Sequence, residues 1–197
     1  MAGGSAKAGL DDMTRRTHGI ATAWQEAAYV WRTLPVPVIA AIHGAALGGG
    51  FQIALGADIR YVAPDARLSI LEVKWGLVPD MSGVALMREL GRSDVIRELA
   101  MTGRVFSGVE ALAYGFATSL HADPLAAARS TAKEIGARSP DAVRAIKRLL
   151  NRASDDDAAA LLRAESKGQA AVIGWPNQIE AVRVGVEGRP GRFVDGE

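Results

Sequence analysis

The 197 residues carry 23 Lys and Arg against 22 Asp and Glu, a formal charge of +1, with 49% hydrophobic and 23% charged residues. That balance suits one globular domain with a sizeable core, and the even spread of charge excludes the basic or acidic tail expected of a nucleic-acid or membrane-surface partner. The absence of cysteine excludes a disulfide framework and a thiolate metal site; the small, polar start "MAGGSAKAGLDD" lacks the apolar core of a secretory signal, so a cytoplasmic protein is expected.

Residues 15 to 33 place Ile20, Ala23, Ala27, Val30 and Trp31 at helical spacing and stop before the "PVP" of residues 35 to 37, which predicts a helix. The apolar run 35 to 57 is long enough to cross a bilayer, but His43, Gln52, two prolines and five glycines oppose a span. It reads instead as a buried strand, "VPVIAAIHG", a glycine turn and a short helix over about residues 50 to 57. "DIRYVA" and "RLSIL" follow as strands around a Pro64-Asp65 turn, giving β, α, β, β order. Residues 83 to 101 are helical with a break near Gly91, and Ser107 to Glu110 is a capping box for a helix ending at Gly115. "FATSL" is a short strand. Asp123 before Pro124 and Ser139 before Pro140 each start a further helix, and the remainder is helical. The chain thus divides into an N-terminal segment and helix (1–34), an α/β core (35–122) and a helical C-terminal region (123–197), whose apolar faces suit either its own core or a neighbouring subunit.

"HGAALGGGFQIALGAD", residues 43 to 58, strips side chains from a turn that opens a helix, where unpaired N–H groups and the helix dipole favour an anion. Phosphate is disfavoured: a dinucleotide motif from Gly48 needs glycine where Ile53 stands, and a P-loop from Gly44 needs lysine where Gly50 stands. The remaining anion is one that exists during a reaction, an enolate or tetrahedral oxygen. The other reading of this segment is that the glycines merely let strand and helix approach closely.

An enolate needs a base, and "LSILEVKWGLVPDMSG", residues 69 to 84, offers Glu72 and Asp80. Glu72 lies among Leu71, Val73, Trp75, Leu77 and Val78, where partial burial would strengthen a carboxylate as a base. The competing readings are a strand-end glutamate facing solvent or paired with Lys74 or Arg60, and, for Asp80, a cap on the following helix. His43 suits a structural hydrogen bond better than a base, and His18 and His121 have no carboxylate or hydroxyl context in the sequence.

The run "PVPVIAAIHGAALGGGFQIALGADIRYVAPDARLSILEVKWGLVPDMSG", continued by "LAMTGRVFSGVEALAYGFATSL" and the helical tail to about Phe193, resembles the enoyl-CoA hydratase/isomerase family, the crotonase superfamily. The resemblance implies an α/β spiral of ββα units, a helical C-terminal trimerisation region and a homotrimer or homohexamer. It implies an acyl-CoA substrate, with coenzyme A as part of that substrate and no separate cofactor. By position, the Gly49 N–H corresponds to an oxyanion-hole donor for the thioester oxygen, with Gly48 beside it and Trp75 as a substrate-binding candidate. Glu72 falls on the family's acid/base glutamate, and Asp80 on a second acidic position of some dienoyl-CoA isomerases.

Two departures qualify the expectation. Gln52 stands where hydratases place their other catalytic glutamate; an amide can orient water but cannot exchange a proton at neutral pH, so double-bond migration is preferred over hydration. The family's longer run of strands ahead of this point has almost no counterpart here, although "KAGLDD", residues 7 to 12, resembles the loop of the first oxyanion donor and would make it the Leu10 N–H. The same segment reads equally as a linker, and the rival expectation is a shortened, catalytically impaired member serving as an oligomeric acyl-CoA-binding scaffold.

Overall fold

A computed structural model describes residues 13–195. The first element, α1 (Ala23–Thr33), opens on a capping box in which Thr22 accepts from the Gln25 N–H and the Gln25 side chain accepts from the Thr22 N–H. This cap overrides the apolar spacing further upstream: residues 15 to 22 are not helical as expected but fold into a turn with a bridge between His18 and Ala21.

Strand β1 (Ile39–Ile42) is followed almost at once by β2 (Ala45–Leu47), then by α2 (Gly49–Leu55), β3 (Ile59–Val62) and β4 (Arg67–Ser69). The expected order lacks β2, whose three small or apolar residues, set between glycines, show no strand period. A four-residue 3₁₀ turn, Glu72–Trp75, leads through a loop to α3 (Gly83–Met87) and α4 (Ser93–Thr102), separated near Gly91 as expected. Next come β5 (Phe106–Ser107), α5 (Gly108–Tyr114) behind its Ser107–Glu110 capping box, and β6 (Ser119–Leu120). The tail is α6 (Pro124–Gly136), α7 (Pro140–Arg152), α8 (Ala158–Val172) and α9 (Pro176–Glu187); α6 and α7 start at the two cap-proline pairs.

Two three-stranded sheets result. In the first, β1 and β6 flank β3, all parallel, with Ile39 opposite Ile59. In the second, β4 lies between parallel β2 and antiparallel β5, with Ala46 opposite Leu68. Parallel neighbours need a crossover, and α2 supplies it, carrying the chain from β2 back to β3 in the other sheet. This is the ββα, α/β architecture expected of the crotonase family, followed by a helical region. The core centres on Phe51 of α2, whose ring meets Phe106 and Phe116 edge to face, each at 5.5 Å. Among the described residues no helix is long and apolar enough to cross a membrane.

Two buried cations hold the layers. Arg60 on β3 donates to the carbonyls of Phe116 and Ala57, and burial pushes its guanidinium below its ordinary value. It therefore does not pair with Glu72, one of the alternatives open from the sequence. Lys147 of α7 donates to Trp31 O, Val36 O and Asp58 Oδ2 at 2.9, 2.8 and 2.8 Å, while the same Asp58 oxygen accepts the Val38 N–H at 2.7 Å. One ammonium thus ties the tail to the end of α1 and the approach to β1. Lys147→Met would take the donor from two carbonyls and the counter-ion from Asp58, and is expected to cost about 3 kcal/mol, read as a lower urea midpoint at unchanged slope; a loss below about 1 kcal/mol would place the ammonium among ordinary surface pairs.

Candidate active site

The glycine turn, α2, the 3₁₀ turn and the loop into α3 converge. Gly48 takes φ 54° and ψ −120°, a conformation that favours glycine, and donates its N–H to Ser69 O at 2.9 Å. A Cβ here would stand 3.3 Å from Glu72 Oε1, so the start of α2 lies directly against the carboxylate. A Cβ at Gly49 would stand 2.7 Å from Met81 Sδ. The first N–H groups of α2 have no acceptor within the helix.

One turn into α2, Gln52 points inward and is 1% exposed. Its Oε1 accepts the N–H of Met81 at 2.9 Å and of Gly83 at 3.0 Å. Ser82 between them has φ 62°, the one positive-φ residue other than glycine among those described, and its hydroxyl donates to Gln25 O. Alternating the backbone hand at Ser82 turns two N–H groups toward one point and makes a small concave nest for an oxygen. With the oxygen so held, the amide Nε2 faces Glu72 and donates to Glu72 Oε1 at 2.6 Å.

Glu72 therefore opens the 3₁₀ turn rather than ending a strand, and is half-buried. Its other oxygen, Oε2, is shielded from solvent and has no hydrogen-bond partner among the described residues. An acceptor in that state is expensive unless something else meets it there. The apolar neighbours in sequence do not supply the burial: Trp75, Leu77 and Val78 are 75%, 62% and 75% exposed. Burial comes from across the chain, from Gly48 and Gln52.

The structure brings Gly48, Gly49, Gln52 and Glu72 together. Asp80 is half-buried in the adjoining loop and is not the cap of α3, a place taken by Ser82 without a side-chain bond. Leu10 lies outside the described residues. Trp75, on the 3₁₀ turn, is largely exposed to solvent. His43 is exposed. His121 does have a hydroxyl neighbour, Ser119 Oγ at 2.8 Å, beside the ring of Tyr61, and His18 has Thr17 Oγ1 at 2.9 Å. The sequence reading missed Met81 and Gly83, whose backbone N–H groups leave no signature in side-chain identity. Two cavities of about 310 and 690 Å³, lined by residues such as Arg138 and Phe193 or Leu149 and Gln169, lie in the helical region and include neither Glu72 nor Gln52. Among the described residues no three His, Asp or Glu side chains converge as metal ligands.

Comparison with known proteins points one way. The family model for enoyl-CoA hydratase/isomerase matches residues 1–193. Human mitochondrial Delta(3,5)-Delta(2,4)-dienoyl-CoA isomerase is 38% identical over 144 residues, which is 70% of this chain and 44% of that protein. Carnitinyl-CoA dehydratase of Salmonella typhi is 36% identical over 124 residues, 62% of this chain and 48% of that one. Among solved structures, a putative enoyl-CoA hydratase of Thermobifida fusca in complex with CoA superposes with a TM-score of 0.71 at 36% identity, covering 75% of this chain and 58% of its own. The chain spans about half the length of the curated relatives it matches.

The nest makes a sharp contrast between two glycines. A Cβ at Gly83 would meet Gln52 Oε1 at 2.5 Å and Cδ at 2.8 Å, whereas at Gly50 nothing lies within 4 Å. Gly83→Ala is expected to destabilise by about 1–3 kcal/mol through overpacking against the held amide, and Gly50→Ala to be neutral or stabilising by about 0.5 kcal/mol. Thermal melts of the two variants check the pair; equal shifts would mean that Gln52 yields freely.

Proposed function

The chain belongs to the enoyl-CoA hydratase/isomerase family, and on that premise we propose that it moves a double bond in an acyl-CoA thioester, with Glu72 as the single acid/base. Glu72 Oε2 takes a proton from the carbon beside the thioester; the electron pair left behind delocalises onto the thioester oxygen as an enolate. The Gly49 N–H, at the start of α2, donates to that oxygen, a contact whose loss typically costs about 3 kcal/mol of transition-state stabilisation. The proton then returns from Oε2 to the carbon two positions farther along, and the double bond settles next to the thioester. Coenzyme A enters and leaves as part of the substrate, and no separate cofactor takes part.

The observation that carries this reading is the state of the Glu72 carboxylate: one oxygen held by Gln52, the other buried beside the glycine turn and without a partner among the described residues. The relative named as a dienoyl-CoA isomerase supports migration, and the CoA-bound neighbour supports the thioester. The relative named as a dehydratase favours a second reading, addition or removal of water, but that chemistry calls for a second proton-exchanging group. Gln52 is an amide, which leaves Asp80 as the other acid in reach of the loop. A homotrimer or homohexamer is the assembly we propose, supported by exposed Leu150, Leu162, Trp175 and Val186 on the tail helices.

The test is an assay with 3-enoyl-CoA and 2-enoyl-CoA, following migration and water addition separately. Migration should exceed hydration, and Glu72→Gln, which keeps the shape and the contact to Gln52, should lower it about 10³-fold. Hydration that depends on Glu72 would favour the second reading; binding without turnover would favour an acyl-CoA-binding scaffold.

A further inference from the structure

We infer that Gln52 is a positioning residue whose amide, locked by the Met81 and Gly83 N–H groups, holds Glu72 by Oε1 and leaves Oε2 as its one reactive oxygen. The inference deepens the single-base reading above and rests on it for its catalytic consequence. It does not rest on it for the chemistry of the pair.

A primary amide has one acceptor and one donor end. Two N–H groups converge on the position of Gln52 Oε1, so the reversed orientation would set an NH₂ group against two donors and an oxygen against a carboxylate oxygen at 2.6 Å. Only one orientation satisfies the network, and it presents a donor to Glu72. A hydrogen bond offered to a carboxylate occupies the oxygen it meets and fixes the plane of the group. Glu72 is the one titratable side chain that bonds Gln52 among the described residues; α2 and α3 carry none, and the elements packed against them and against the 3₁₀ turn add Lys74 on that turn, Asp80 in the loop, Glu26, Tyr29 and Arg32 on α1, and Asp94, Arg97 and Glu98 on α4.

The nest also determines what a carboxylate at position 52 would do. An oxygen receiving two backbone N–H bonds is where negative charge is best held. In Gln52→Glu the new carboxylate would stay ionised in the nest, and the proton that two carboxylates 2.6 Å apart must share would reside on Glu72. The base would then be blocked at neutral pH. The double variant Gln52→Glu with Glu72→Gln reverses every polarity at once: an ionised carboxylate in the nest accepts from the new amide at 72, and no proton is needed.

Infrared spectra of uniformly ¹³C-glutamate-labelled protein at neutral pH read this directly, without turnover. Gln52→Glu should gain a protonated-carboxyl band absent from the wild type, and the double variant should lack that band while melting at higher temperature than Gln52→Glu. No band in Gln52→Glu, a band that persists in the double variant, or a double variant that fails to fold would each overturn the inference. If Gln52→Glu itself does not fold, a folded double variant supports the inference, because the two differ only in whether the pair is complementary. In the activity assay, Gln52→Glu should move the acid limb of the kcat profile to higher pH and lower kcat at neutral pH at least about tenfold with little change in KM; an unmoved limb would count against it. Wild-type protein that moves no double bond would sink the proposed function and leave the infrared result standing.

Discussion

Two backbone N–H groups on a single amide oxygen set the geometry of the candidate site. Met81 and Gly83 give Gln52 its orientation, Gln52 gives Glu72 its orientation, and Glu72 is left with one oxygen free. Each step follows from donor and acceptor counting rather than from the strength of any one bond. A hydrogen bond of this kind contributes only about 1 kcal/mol net, whereas leaving either buried N–H group without an acceptor costs about 1–3 kcal/mol. The penalty for disorder, more than the gain from order, keeps the amide in place.

The scaffold makes that arrangement available by holding three separate pieces of chain to one point. Phe51 fastens α2 into the aromatic core, and the next residue, Gln52, is turned toward the loop by the same helical register. The parallel pairing of β2 with β4 places the glycine turn beside the residues that follow Ser69, and the Gly48 N–H closes the gap on the Ser69 carbonyl. The loop is fixed from the other side, where Ser82 donates to the Gln25 carbonyl of α1. Strain at Ser82 of about 1–3 kcal/mol is offset by the two N–H groups it aims.

Local signals were legible in the sequence because their partners are near. The capping box at Ser107 and the cap-proline pairs at Asp123 and Ser139 act within three residues, and all three helices begin where those signals place them. The start of α1 was misplaced because Ile20 sits at helical spacing upstream of a Thr22–Gln25 capping box that ends the matter, and β2 was missed because "AAL" between glycines has no period to read. The family signature pointed to Gly49, Gln52 and Glu72, which the structure brings together, but not to what holds Gln52. Its acceptor bonds span 29 and 31 residues and end on backbone atoms, which no side-chain pattern encodes. The surroundings of Glu72 were illegible for the same reason: Trp75, Leu77 and Val78 face solvent, and its close neighbours in space, Gly48 and Gln52, come from the start of α2.

A neutral partner for the base is suited to one class of reaction. Adding water across a double bond asks the site to deprotonate water and protonate carbon, and two ionisable groups can divide those tasks. Moving a double bond asks for one proton to leave and one to return, so a single oxygen can perform both, provided that its carboxylate keeps its orientation through the lifetime of the enolate. A second carboxylate 2.6 Å away would compete for the proton during that interval, whereas an amide donor cannot take it. The amide at position 52, with its oxygen held by the nest, therefore removes the competitor and supplies the support in one contact.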